Sequence, residues 1–151
     1  MLQVRDEDDD GKPLGGRPMR SHLIKRVPYM LATGLFNGAT HINQTRAIIA
    51  LTPAAIRQFG DLCPDTVAQI GEALGLAASE RTGVALTEVV ASRYEAVISE
   101  LGGQIDLRHE GLGLDTIPGV IAYGLRNFNT NNDGLLKDKA DRLERVLRDT
   151  I

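Results

Sequence analysis

Seven basic side chains, Lys12, Arg17, Arg20, Lys25, Arg26, Arg46 and Arg57, stand in residues 11–60 without a single Asp or Glu among them. Cations gathered with no carboxylate to neutralise them suit one chemistry above others, the electrostatic capture of a polyanion through its phosphates. The segregation is sharp. Residues 1–10 carry five acids against Arg5, and residues 61–151 carry fifteen acids against nine bases, so charges of −4 and −6 flank a block of +7 in a chain of net −3. Arg17, Arg20, Lys25, Arg26, Arg46 and Arg57 are therefore the candidate nucleic-acid-binding residues, with DNA as the expected partner. The acidic run at residues 6–10 is a candidate competitor for the same cations.

Two local patterns refine this expectation. Gly16-Arg17-Pro18 matches the centre of the AT-hook, in which an extended arginine lies along the narrow minor groove of A·T-rich DNA; the further arginine of that motif is Gly15 here. Residues 43–60 can be read as a helix-turn-helix or as an ordinary helical hairpin. A first helix over residues 43–50 would turn at Leu51-Thr52, and Thr52 would cap a second helix that opens at Pro53 and offers Arg57 and Gln58. Leu51 stands where that motif usually has a turn glycine.

Other chemistries lack their parts. Residues 11–18 approach a phosphate-binding loop, yet Arg17 replaces its lysine and Pro18 its magnesium-binding hydroxyl. Residues 6–11 and 129–134 begin like calcium loops, but the position of the bidentate Glu is Arg17 in one and Ala140 in the other. His22, His41 and His109 show no i, i+4 pair to chelate a metal, and Cys63 is the single cysteine, which excludes a thiolate-rich zinc site. Asp106, His109 and Glu110 cluster in sequence without a nucleophile, and alternation would set His109 opposite Asp106. The reading is of a protein that is not an enzyme, with no cofactor and no metal.

The elements that must position these side chains follow from periodicity. The sequence predicts a mainly α, compact helical domain of five to seven short and medium helices, with at most one short strand and an N-terminal arm. Residues 1–18 form the charged arm. Residues 19–60 form a basic helical segment in which Pro28 and Pro53 begin new helices. Residues 61–132 form the central core: a helix from Pro64, then Leu86, Val89, Val90, Tyr94, Val97, Ile98 and Leu101 as the clearest helical stripe, a short strand at residues 104–109, and a helix from Pro118. Residues 133–151 form a C-terminal amphipathic helix, capped by Asp133, with Leu136, Ala140, Leu143 and Leu147 as its seam and i, i+4 ion pairs from Lys137 to Arg148 outside. Such a helix would dock on its own domain, a second copy or a larger partner subunit. No apolar run approaches eighteen residues, so no membrane contact and a cytoplasmic location are expected.

A Gly-Arg-Pro arm, a helix-turn-helix from Asn43 and central helices over residues 64–77 and 84–101 together resemble a small terminase subunit of a tailed bacteriophage. The resemblance implies an N-terminal part that binds the packaging site on viral DNA, central helices that assemble a homo-oligomeric ring, and stimulation of the large subunit's ATPase without catalysis of its own. The competing expectation is a phage or bacterial structural or adaptor protein, such as a virion protein, that acts through protein contacts without nucleic acid.

Overall fold

The computed structural model describes residues 22–38, 42–77, 79, 85–131 and 133–151. Arg17, Arg20, the acidic run, the Gly-Arg-Pro motif and His41 lie outside the described residues. Within them the chain is mainly α-helical with no strand: α1 (Leu23–Asn37), α2 (Gln44–Phe59), α3 (Pro64–Ala73), α4 (Leu86–Glu100), α5 (Ile117–Arg126), the single turn α6 (Phe128–Asn131) and α7 (Ala140–Arg148).

The core is built on α1 and α2. Leu23, Val27, Met30, Leu31 and Leu35 recur at three- and four-residue spacing on α1 and are buried, and Leu51, Ile56 and Phe59 meet them from α2. Val120 and Ile121 of α5 and Leu143, Val146 and Leu147 of α7 close this core. Two glycines bring α1 and α5 together. A Cβ at Gly34 would come within 2.9 Å of the Val120 carbonyl oxygen, and one at Gly124 within 2.8 Å of Met30 Cγ, so neither position has room for a side chain as the helices stand. The order of these contacts, Gly34 with Val120 and Met30 with Gly124, makes the two helices antiparallel.

Pro28 and Pro53 do not begin helices; each lies inside one. An interior proline costs about 3 kcal/mol because it removes an N–H and crowds the preceding turn. Burying Leu51, Ile56 and Phe59 on a continuous α2 returns roughly 1.5–3 kcal/mol each, which outweighs that cost. Residues 44–59 are accordingly one helix, capped by Asn43, whose side chain accepts the Arg46 N–H, and the turn expected at Leu51-Thr52 is absent. The helix-turn-helix drawn over residues 43–60 is replaced by a single rod.

Three further expectations change. The strand over residues 104–109 does not form: Glu110 N–H bonds Asp106 C=O and Leu112 N–H bonds Leu107 C=O, closing turns that bury Leu107. Asp106 and His109 are not opposed, since Asp106 Oδ1 accepts the His109 N–H. The C-terminal helix begins only at Ala140, because Gly134 takes a left-handed φ of 69° and Asn131 and Asp133 capture the N–H groups of Leu136 and Leu135. Leu136 is still buried, but from a turn, and Ala140 is exposed. Of the outer ion pairs expected there, Glu144 with Arg148 forms at 2.6 Å, while Arg142 turns to Asp61 and Asp138 to Lys139.

The clearest stripe in the sequence is the least covered. On α4 only Val90 and Ala91 are buried; Val89, Tyr94, Val97 and Ile98 are half-buried and Leu101 is 77% exposed. Helix α3 contributes Val67 and Gly71 to the interior.

Candidate nucleic-acid interface

The fold treats the four described candidate cations unequally. Arg26 is 4% exposed, so its guanidinium cannot remain unpaired without a large desolvation cost. It is fully engaged: Nε and Nη2 donate to the Thr130 carbonyl at 3.2 and 2.8 Å, and Nη1 and Nη2 donate to the two carboxylate oxygens of Asp133 at 2.9 Å each. The Arg26 guanidinium, followed by the Leu135 N–H, holds the Asp133 carboxyl below the usual carboxylate range. Arg26 is a structural clamp between α1 and both α6 and the turn that follows it.

Arg57 reaches from α2 to α4. Its guanidinium donates to both oxygens of Glu88 at 2.8 and 2.9 Å and to both oxygens of Glu95 at 2.7 and 3.0 Å, a doubled fork that carries two negative charges for one positive. These bonds raise the Arg57 pKa still further and draw Glu88 down to about 2, helped by the Ser92 hydroxyl. Its neighbour Gln58 donates to Asp149 at 3.1 Å. Arg46 pairs with Glu110, Nε to Oε1 at 2.9 Å, from an exposed position. Both residues that would have read DNA from a recognition helix thus face acids of the same chain.

Lys25 is different. It is exposed on the first turn of α1 and has no carboxylate partner among the described residues. Its charge, after burial, lowers the pKa of His22, whose carbonyl accepts the Lys25 N–H at the helix start. Lys25, Tyr29 and Thr33 follow one another at four-residue spacing and so share a face of α1. Tyr29 and Thr33 of that face and Tyr123, Arg126 and Asn127 of α5 and its C-terminus line an open hollow of about 560 Å³. Thr33 is fixed in the wall, donating to the Tyr29 carbonyl and accepting from Gln44 Nε2. Arg126 is exposed and, among the described residues, has no carboxylate within ion-pair distance.

A second groove of similar volume lies between α2 and α4, where Ile49, Pro53, Tyr94, Ile98 and Ile105 form an apolar floor. Glu95, Asp106 and Asp149 stand on its rim. Cys63 is half-buried: burial pushes its thiol up, against a backbone N–H from Ile24, and its Sγ donates to the Phe59 carbonyl. No group of three His, Cys, Asp or Glu side chains arranged to hold a metal ion occurs among the described residues, and none of their helices is long and apolar enough to cross a membrane.

Sequence reasoning located Lys25 but passed over Tyr29, Tyr123 and Arg126. The signal available was faint: Lys25-Tyr29-Thr33 at i, i+4, i+8 and Tyr123-Arg126 at i, i+3. Only the antiparallel packing of α1 on α5 brings the two sets together. No family model, curated protein or solved structure matches this chain.

Proposed function

We propose that this chain is a non-enzymatic nucleic-acid-binding protein whose contact runs from Arg17 and Arg20 to Lys25 and the adjoining edge of α1. The observation that carries this reading is the acid-free block of residues 11–60, combined with the way the fold divides it. Arg26, Arg46 and Arg57 serve ion pairs within the domain. Among the described candidates Lys25 alone has no acidic partner, and with Arg17 and Arg20 of the same block it is the proposed phosphate contact.

The resemblance to small terminase subunits extends the proposal to a DNA-packaging oligomer. Its support is the incompletely covered stripe of α4, which would be buried by neighbouring copies in a ring. The same stripe favours the second reading, a structural or adaptor protein that works through protein contacts alone. The C-terminal helix is a weaker route to a larger subunit, because Leu143, Val146 and Leu147 are already spent inside the domain.

Salt-titrated binding to duplex DNA tests the reading, comparing the intact chain with a variant in which Arg17, Arg20 and Lys25 are Ala. If three phosphates are lost, the slope of log affinity against log salt should become shallower by about 2.7. Equal, feeble binding by both proteins would leave the adaptor reading, and a monomeric mass in light scattering would remove the ring.

A further inference from the structure

We infer that the hollow between α1 and α5 is a subsite for an unstacked base of single-stranded nucleic acid, an inference that rests on the proposed nucleic-acid contact and narrows its ligand. Two phenol rings, Tyr29 half-buried and Tyr123 partly exposed, present aromatic surface whose positions are set by the packed helices beneath them. Neither phenol has a hydrogen-bond partner among the described residues. Arg126 stands in the same hollow, Lys25 lies one helical turn before Tyr29, and none of the described lining residues is acidic.

This combination discriminates between ligands. A duplex keeps its bases stacked inside and offers phosphates and groove edges, so it can use Lys25 and Arg126 but leaves the tyrosine rings idle. A single strand can splay one base onto an aromatic face while its flanking phosphates meet the two cations, the arrangement that single-strand-binding surfaces use. An acidic peptide could satisfy the cations, but only a nucleic acid couples a flat base to every charged phosphate along its chain. The other groove of this molecule makes the contrast: it contains Tyr94 but is also lined by Asp106 and Asp149, which repel a phosphodiester, and by Glu95, whose charge is already met by Arg57.

The composition supplies a direct readout. The chain has three tyrosines and no tryptophan, so its intrinsic ultraviolet emission is tyrosine emission, and Tyr94→Phe leaves Tyr29 and Tyr123 as the reporters. With oligothymidylate and oligouridylate 20-mers as probes, this variant should show quenching that saturates with binding, and a duplex 20-mer should quench much less. Saturated binding of both single strands without quenching overturns the inference. Replacing both Tyr29 and Tyr123 with Ala should weaken single-strand binding at least about fivefold while duplex binding stays within about twofold. Unchanged single-strand affinity, or equal loss on both forms, also overturns it. The Arg17, Arg20 and Lys25 variant separates the two levels: if it loses duplex and single strand alike while the tyrosine variant loses neither, the proposed function stands and this subsite falls.

Discussion

The hollow between α1 and α5 and the groove between α2 and α4 have the same volume, about 560 Å³, and opposite rims. Both contain tyrosine. One is lined by Arg126, with Lys25 a helical turn before Tyr29 and no acid among its described lining residues; the other carries three carboxylates beside an apolar floor. The local chain does not explain the difference, since α2 belongs to the acid-free block and contributes Ile49, Ala50 and Pro53 to the acidic groove. What differs is the partner. Helix α2 packs on α4 and receives its glutamates, whereas α1 packs on α5, which contains no acid. A basic stretch of sequence becomes a basic surface only where the element laid against it is not acidic.

The largest expected effect tests the joint that holds α6 against α1, beside the helix pair that forms the cationic hollow. Arg26→Ala leaves the Thr130 carbonyl and the Asp133 carboxylate without their donor, and should cost roughly 2–4 kcal/mol in urea unfolding. A loss near zero would mean that the segment after α6 is held by other contacts. Arg26→Lys keeps the charge but not the fork, so it should recover part of that loss.

The next test bears on the approach of α1 to α5. Gly34→Ala aims a methyl group at the Val120 backbone oxygen, which cannot move aside without moving α5, and should cost about 1–3 kcal/mol in thermal unfolding. Gly124→Ala meets the buried Met30 side chain at its Cγ, a side-chain rather than a backbone atom, so it should cost less than Gly34→Ala but still destabilise. Equal losses at the two glycines would count against the antiparallel contact as the feature that shapes the hollow.

The smallest effect belongs to the acidic side. Glu88 is lowered to about 2 in the folded chain by Arg57 and Ser92, below its usual value of 4.5. Its contribution to stability is therefore complete above the usual value and is lost as pH falls from about 4.5 through 2. Glu88 is well exposed, so the pair should contribute only roughly 0.2–1 kcal/mol. Glu88→Gln should flatten that part of the acid-unfolding profile and leave stability at lower pH unchanged. A profile that keeps its full slope would show that Glu95 alone answers Arg57.

Much of the fold is legible in the residues. Pro64 opens α3, the stripe from Leu86 gives α4 within two residues of its expected ends, and Gly102 ends it with a φ of 71°. These features are local: a ring that fixes φ, an apolar period of 3.6, a glycine that admits the left-handed turn. The errors fall where distant contacts override local preference. Pro53 reads as a helix start and lies mid-helix because core burial outweighs its cost, and Gly134 to Lys139 reads as helix but is drawn into turns by Asn131 and Asp133. The candidate site was legible at Lys25 and illegible at Tyr123 and Arg126, which share no pattern with it along the chain.

The sequence by itself determined that charge is segregated, that the architecture is helical, and that Arg17, Arg20, Lys25 and Arg26 cluster within a stretch free of acids. Only the tertiary structure decided which basic side chains remain available within the described residues. Ion pairs such as Arg26 with Asp133 and Arg57 with Glu88 and Glu95 join residues 107, 31 and 38 positions apart, and no window along the chain contains them. Composition fixes how many charges a chain carries; the fold fixes which of them are cancelled, because Coulomb attraction depends on distance in space and not on distance in sequence.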